Sequence, residues 1–216
     1  MNKPTPRRSL IPLLLAALIS MTGPVIAQTS PLNADEPTDV TETPDSARPS
    51  PRYLLQNGSG RAVLSDDFRD RFQLIAFGFT SCPDVCPTTL LQMQQVMIAL
   101  GERAKQVQPI FITVDPERDT GAVLDAYTHN FDARILGLTG SPELVRWAAN
   151  NFKVKFDKVR EPGAAPNIYT MDHTASLFLL GPDGQLLRKF VYGTPAQEVV
   201  TDLKRWMDLN ENLPKQ

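Results

Sequence analysis

This 216-residue sequence predicts an α/β domain with a central mixed sheet flanked by helices. Three observations carry that expectation. An apolar run, Phe72–Phe79, reads as a buried strand, and a helical pattern follows from Pro87 to about Leu100. A second apolar run, Val107–Val114, comes next, so strand, helix and strand form a right-handed parallel unit. Near the end, Thr174–Leu180 and Gln185–Tyr192 flank the turn Gly181-Pro182-Asp183-Gly184, a hairpin that a last helix from Pro195 to about Leu209 closes.

Each element has a local reason. The domain begins near Tyr53, where Arg52–Gln56 and Arg61–Leu64 flank Asn57-Gly58-Ser59-Gly60, a hairpin signal. Ser65-Asp66-Asp67-Phe68 is a short helical or turn segment. Pro87 fits the first position of its helix, where a missing N–H costs nothing, and it pushes Cys86 out to the cap. Leu90, Leu91, Met93, Met97, Ile98 and Leu100 supply the apolar face, and Gly101 stops the helix. After the second strand, Asp115-Pro116-Glu117-Arg118-Asp119-Thr120 shapes a turn. Asp119 or Thr120 caps a helix over about 121–131, with Val123, Leu124, Tyr127 and Phe131 inward.

Ile135–Thr139 reads as a third short strand. Ser141-Pro142-Glu143 starts a helix that runs through Leu144, Val145, Trp147 and Ala148 to Asn151. Phe152–Val159 alternates as a half-exposed strand, and Arg160–Asn167 is a polar excursion. The closing helix sets Val199, Val200, Leu203 and Trp206 on one side. This order matches a thioredoxin-like sandwich with an N-terminal hairpin and an inserted strand–helix. In that architecture the working loop lies at the C-terminal end of the first parallel strand, over a helix N-terminus.

The N-terminus reads differently. Lys3, Arg7 and Arg8 precede the apolar stretch Leu10–Ile19, and small residues allow cleavage after Ala27, which is the pattern of a secretory signal peptide over 1–27. A retained membrane anchor is the alternative, marginal in length and interrupted by Pro12, Gly23 and Pro24. Residues 28–51 form a Pro-rich, acidic linker unable to build a core, and the domain covers 52–212. Loss of residues 1–27 removes three basic residues and takes the formal charge from −2 to −5. No basic surplus or motif for nucleic acid exists. The expected location is the periplasm, free or attached to the inner membrane.

Both cysteines lie in the loop after the first buried strand, in Cys82-Pro83-Asp84-Val85-Cys86-Pro87. A thiol at a helix N-terminus feels the positive end of the dipole, which predicts a lowered pKa. Three intervening residues bring two sulfurs within reach of one ion or of each other. The outcomes are a dithiolate metal clamp or a redox disulfide. A stapling disulfide is the plain alternative, but so short a loop constrains little of the unfolded chain. In an oxidising compartment, two close cysteines argue for a site rather than a scaffold.

Thioredoxin-like folds bring the segment before the last hairpin up beside the cysteine loop. Here it reads Tyr169-Thr170-Met171-Asp172-His173-Thr174 and holds one of the two histidines. An imidazole facing two thiolates suits copper(I) or copper(II), with zinc as the competing ion. A loop histidine bonded to backbone is the plain alternative. His129, among polar neighbours on a helix, is expected to be exposed and uninvolved. Met93 and Met97 are expected in the core, Met171 is an auxiliary donor at most, and Asp84 shapes the loop.

The stretch Phe77–Pro87, the segment Val114-Asp115-Pro116-Glu117-Arg118-Asp119-Thr120, the triplet Asp172-His173-Thr174 and the turn Gly181–Gly184 together resemble the Sco/SenC family. The resemblance runs from about Tyr53 to Leu209. It implies a thioredoxin-fold copper protein that assists assembly of the dinuclear copper centre of cytochrome c oxidase. By it, Cys82, Cys86 and His173 correspond to copper ligands, and the partner is the copper-bearing oxidase subunit. Other periplasmic copper chaperones or thioredoxin-like reductases are further partners, and the chain is expected to be a monomer. The alternative activity is thiol–disulfide exchange through Cys82 and Cys86 on that subunit's cysteines or in redox defence. Two departures stand out: Thr174 replaces the usual Ser, and the N-terminus resembles a cleavable signal rather than a permanent anchor.

Overall fold

The computed structural model describes residues 48–165 and 168–212. The expected signal segment 1–27, linker residues 28–47 and two residues of the 160–167 excursion lie outside them. The N-terminal hairpin is present as β1 (Leu54–Gln56) and β2 (Ala62–Leu64), paired antiparallel, and a 3₁₀ turn comes next at Ser65–Phe68. β3 (Phe72–Gly78) is buried along its whole length. Its single polar side chain, Gln73, accepts a hydrogen bond from the Tyr53 hydroxyl at 2.7 Å and donates to the Ser65 carbonyl at 3.1 Å. A fully buried amide needs such partners, and these tie the hairpin to the middle of the sheet.

α1 (Val85–Leu100) starts two residues earlier than the proline suggests. Asp84 is the cap residue and Pro87 the third helical residue, so Cys86 lies inside the helix. The first four N–H groups of a helix have no partner within it, and a proline anywhere in that turn breaks no bond. The steric bias of the residue before proline is overridden. The buried stripe is Cys86, Leu90, Met93, Met97 and Leu100, joined by Val96. Leu91 and Ile98, expected inward, are 47% and 66% exposed, because each lies one position past that stripe.

β4 (Val107–Thr113) pairs parallel with β3 in the expected unit. α2 (Gly121–His129) is shorter than expected. Thr120 caps it, its hydroxyl accepting the Val123 N–H at 3.4 Å. Asp119 does not cap; its carboxylate turns into the protein. Leu124 is buried and Tyr127 and Phe131 pack on the core, whereas Val123 is exposed. β5 (Leu136–Leu138) adds a third parallel strand. α3 (Pro142–Asn151) begins as predicted, with the Ser141 hydroxyl accepting the Leu144 N–H at 3.3 Å. Val145 and Ala148 face inward, while Leu144 and Trp147 lie outside.

The strand expected over Phe152–Val159 begins only at Phe156, as β6 (Phe156–Val159). Lys153 takes a positive φ of 57°, and the Val154 N–H closes on the Ala149 carbonyl at 2.8 Å, so these residues finish α3 instead. β7 (Thr170–His173) is a strand the sequence pattern does not disclose, and it pairs antiparallel with β6. β8 (Ser176–Leu180) and β9 (Leu186–Val191) form the expected hairpin, slightly trimmed. α4 (Ala196–Glu211) closes the chain with Val199, Val200, Leu203 and Met207 buried and Trp206 only partly so.

The main sheet runs β5-β4-β3-β8-β9, with β5, β4 and β3 paired in parallel and β8 antiparallel to both β3 and β9, and α1 and α4 pack together. The mixed thioredoxin-like architecture is therefore as expected. Gly78, at the C-terminal end of β3, leaves room for the first turn of α1. A Cβ there would lie 2.7 Å from both the Cys86 sulfur and the Phe111 ring. Gly78→Ala should therefore destabilise the domain by about 1–3 kcal/mol through overpacking, read as a lower urea midpoint. An unchanged midpoint would show that sulfur and ring are free to move aside.

Candidate metal centre

The site lies where β3 ends. The Cys82 N–H bonds back to the Phe79 carbonyl at 3.3 Å, turning the chain sharply into α1. The Cys82 sulfur then accepts the Cys86 N–H at 3.4 Å. A sulfur thus serves the helix N-terminus that the Asp84 side chain leaves uncapped, and it faces the positive end of the dipole. Cys82 is partly exposed, Cys86 is buried, and both are free thiols. Asp84 is exposed, and its carbonyl accepts the Thr88 N–H and hydroxyl, so it shapes the loop as expected.

The Cys86 thiol corrects one expectation. Its pKa is raised, not lowered: burial dominates, and the backbone hydrogen bond at Phe79 acts the other way. A helix-end dipole contributes about 0.3–1 kcal/mol, whereas removing a thiolate from water costs more.

His173 ends β7 opposite Phe156. Its Nδ1 lies 3.1 Å from the Thr174 carbonyl, a hydrogen bond in which the ring nitrogen donates. The Nε2 lone pair then faces the Cys86 sulfur at 3.7 Å. Burial holds this imidazole below its ordinary pKa, while the Thr174 carbonyl acts in the opposite direction. Phe79 meets the ring edge-on at 6.0 Å between centroids. The Thr174 hydroxyl accepts the Lys155 N–H at 3.2 Å, which a serine would do equally well.

With metal–sulfur and metal–nitrogen bonds of about 2.3 and 2.0 Å, two ligands of one ion stand about 3.5 Å apart at a tetrahedral angle and about 3.7 Å apart at a trigonal one. The sulfur–nitrogen separation of 3.7 Å has the latter spacing. Among the described residues no three Cys, His, Asp or Glu side chains are already gathered for a metal. The Cys82 sulfur is engaged at the helix start by the Cys86 N–H and lies against the Cys86 thiol.

The cleft beside the sulfurs, lined by Phe79, Cys82, Val85, Met171, His173 and Ala175, measures about 160 Å³. That is below the roughly 300 Å³ at which organic-ligand pockets begin. Met171 shares this cleft but is mostly buried, Met93 and Met97 are core, and His129 is exposed. The sequence pattern marks two groups near the site as turn-formers only. Asp115 and Asp119 are in fact 1% and 0% exposed and fully engaged beneath the loop. Two acidic residues directly after a buried strand are the available signal.

The profile of the SCO1/SenC family matches residues 41–208. A SCO2-like protein of Rickettsia felis is 35% identical over 152 residues, 70% of this chain and 74% of that one. The structure of Bradyrhizobium japonicum ScoI with copper bound superposes with a TM-score of 0.65 at 38% identity, covering 72% and 97% of the two chains. BsSco, a member of the Sco family of cytochrome c oxidase assembly proteins in which a disulfide switch was identified, gives 0.58 at 26% identity over 81% and 97%.

The buried imidazole has a pH signature. Because folding lowers its pKa, its stabilising share is full above the ordinary value near 6.5 and is lost as pH falls toward the folded value. Asp119 has the opposite sign, since burial raises its carboxyl and the folded state gains from its proton. Urea unfolding of the reduced, metal-free protein should lose stability between about pH 7.5 and 5.5, and lose less in His173→Gln. Equal losses in both would contradict the buried neutral ring.

Proposed function

The chain belongs to the SCO1/SenC family, and we propose that it is an exported copper metallochaperone that helps assemble the dinuclear copper centre of cytochrome c oxidase. The observation that supports this best is the imidazole Nε2, 3.7 Å from the buried Cys86 thiol in the first turn of α1. Solved relatives of 38% and 26% identity, one holding copper and one described as an oxidase assembly protein, point the same way.

In this reading Cys82, Cys86 and His173 hold the ion. Thiolates select soft copper(I), and an imidazole is compatible with either oxidation state. The cation reverses the cost of ionising Cys86, since a coordinating thiol loses its proton outright. Cys82, whose sulfur already lies beside the Cys86 thiol, supplies the second sulfur. The site has few ligands and a partly exposed member, so a partner's cysteine can replace them one at a time. That partner is the copper-bearing subunit of the oxidase, reached in the periplasm by a soluble or inner-membrane-attached chain. Among the described residues no helix is long and apolar enough to cross a membrane.

A second reading is supported by the asymmetry of the thiols. Cys82 is accessible and Cys86 buried beneath it, the arrangement of an attacking and a resolving thiol. Cys82 would attack a partner disulfide, Cys86 would displace the mixed disulfide, and the partner would leave with two thiols as Cys82–Cys86 closes. The family resemblance to a protein with a disulfide switch is in keeping with it.

Anaerobic copper titration separates the two. Cys82→Ala, Cys86→Ala and His173→Ala should each weaken copper binding by about tenfold or more. His173→Ala should keep its exchange with a disulfide probe. Near-stoichiometric tight copper in His173→Ala would remove the imidazole from the ligand set and leave the dithiol reading.

A further inference from the structure

Both halves of the site are tied to one short loop, Asp115–Thr120. On one arm, the buried Asp115 carboxylate accepts from the Arg118 Nε and, at 2.8 Å, from the Tyr169 hydroxyl. The same arginine donates from Nη1 to the Tyr169 carbonyl at 3.0 Å and lies over the Tyr169 ring, 3.9 Å from its centroid. Backbone, ring and hydroxyl of one residue are therefore all held, and that residue immediately precedes β7 and its His173.

On the other arm, the Asp119 carboxylate accepts the Thr80 N–H at 3.0 Å, the Thr80 hydroxyl at 2.6 Å and the Thr113 hydroxyl at 2.7 Å. Thr80 immediately precedes the cysteine loop. The arms are locked together by the Asp119 N–H on the Asp115 carbonyl at 2.9 Å. Meanwhile β7 has its strand partner in β6, outside the five-stranded sheet. The side-chain tie thus adds to two other links with the cysteine loop, the short run from His173 into β8 and the edge-on contact of Phe79 with the His173 ring.

We propose that Asp115, Arg118, Tyr169 and Asp119 are positioning residues that form a two-armed bracket, setting the gap between His173 and the sulfurs. This rests on the copper reading above. None of the four is placed as a ligand; they act through the chain segments that carry the ligands. A site built from two separate segments keeps its spacing only if such supports hold it.

The test uses the full reduced chain and copper(I) in competition with a chromophoric chelator. Arg118→Ala should weaken copper by about 10- to 100-fold. Added to His173→Ala it should cost nothing further, because the ligand it positions is already gone. Tyr169→Phe, which only removes a hydroxyl, should fold normally and lose about two- to tenfold. Arg103→Ala, which breaks an ion pair with Asp208 and Glu211 elsewhere in the fold, should bind as wild type. Wild-type affinity in Arg118→Ala and Tyr169→Phe, or losses fully additive with His173→Ala, would overturn the bracket. Amide exchange of the metal-free protein decides independently: β7 should exchange faster in Tyr169→Phe and Arg118→Ala, with α4 unchanged. Unchanged β7 exchange overturns the bracket, whereas a wild type that takes no copper but shows the β7 effect sinks only the copper reading.

Discussion

Everything distinctive about this protein depends on one contact across the fold, the thiol of Cys86 facing the imidazole of His173. The two residues are 87 positions apart in the chain. The sulfur is placed by the end of β3 and the first turn of α1, the ring by a small two-stranded sheet that stands beside the main one. The main sheet supplies rigidity: β3 is buried throughout and paired on both sides. Gly78 completes the arrangement by giving up a side chain where the sulfur and the Phe111 ring converge.

Burial gives this contact its chemistry. An exposed thiol pair would titrate and oxidise as ordinary surface cysteines. Here one sulfur is withdrawn from water and reluctant to ionise, and the neighbouring ring is kept neutral with a lone pair directed at it. Such a pair favours a proton between its members until a soft cation replaces it. The accessible sulfur, Cys82, is meanwhile held at the helix start by a single N–H. That combination suits an ion which must be held and then released, and equally a disulfide which must open and close.

Much of this is legible in the sequence. Buried strands announce themselves by unbroken apolar runs, so β3, β4 and β8 and the crossover helix can be placed, and with them the cysteine loop. His173 is found from its register before the last hairpin. Besides β7 and the late start of β6, three features are not. Helix faces are misjudged at Leu91, Ile98 and Val123, since an apolar residue one step off the buried stripe cannot be told from one on it by hydropathy alone. The start of α1 is misplaced because proline is equally tolerated throughout a first turn. The polar support of the site is hidden because buried carboxylates such as Asp115 and Asp119 look like turn residues until the groups that satisfy them are seen. Family resemblance names the motif around them without saying what they hold.

The most direct test of the central claim is X-ray absorption at the copper edge of the reduced chain loaded with one equivalent of copper(I). The account predicts two sulfur scatterers and one imidazole nitrogen, with the outer-shell imidazole signal lost in His173→Ala. A shell of two sulfurs alone, identical in wild type and variant, would contradict it and leave the protein as a dithiol whose nearby ring serves only to pack.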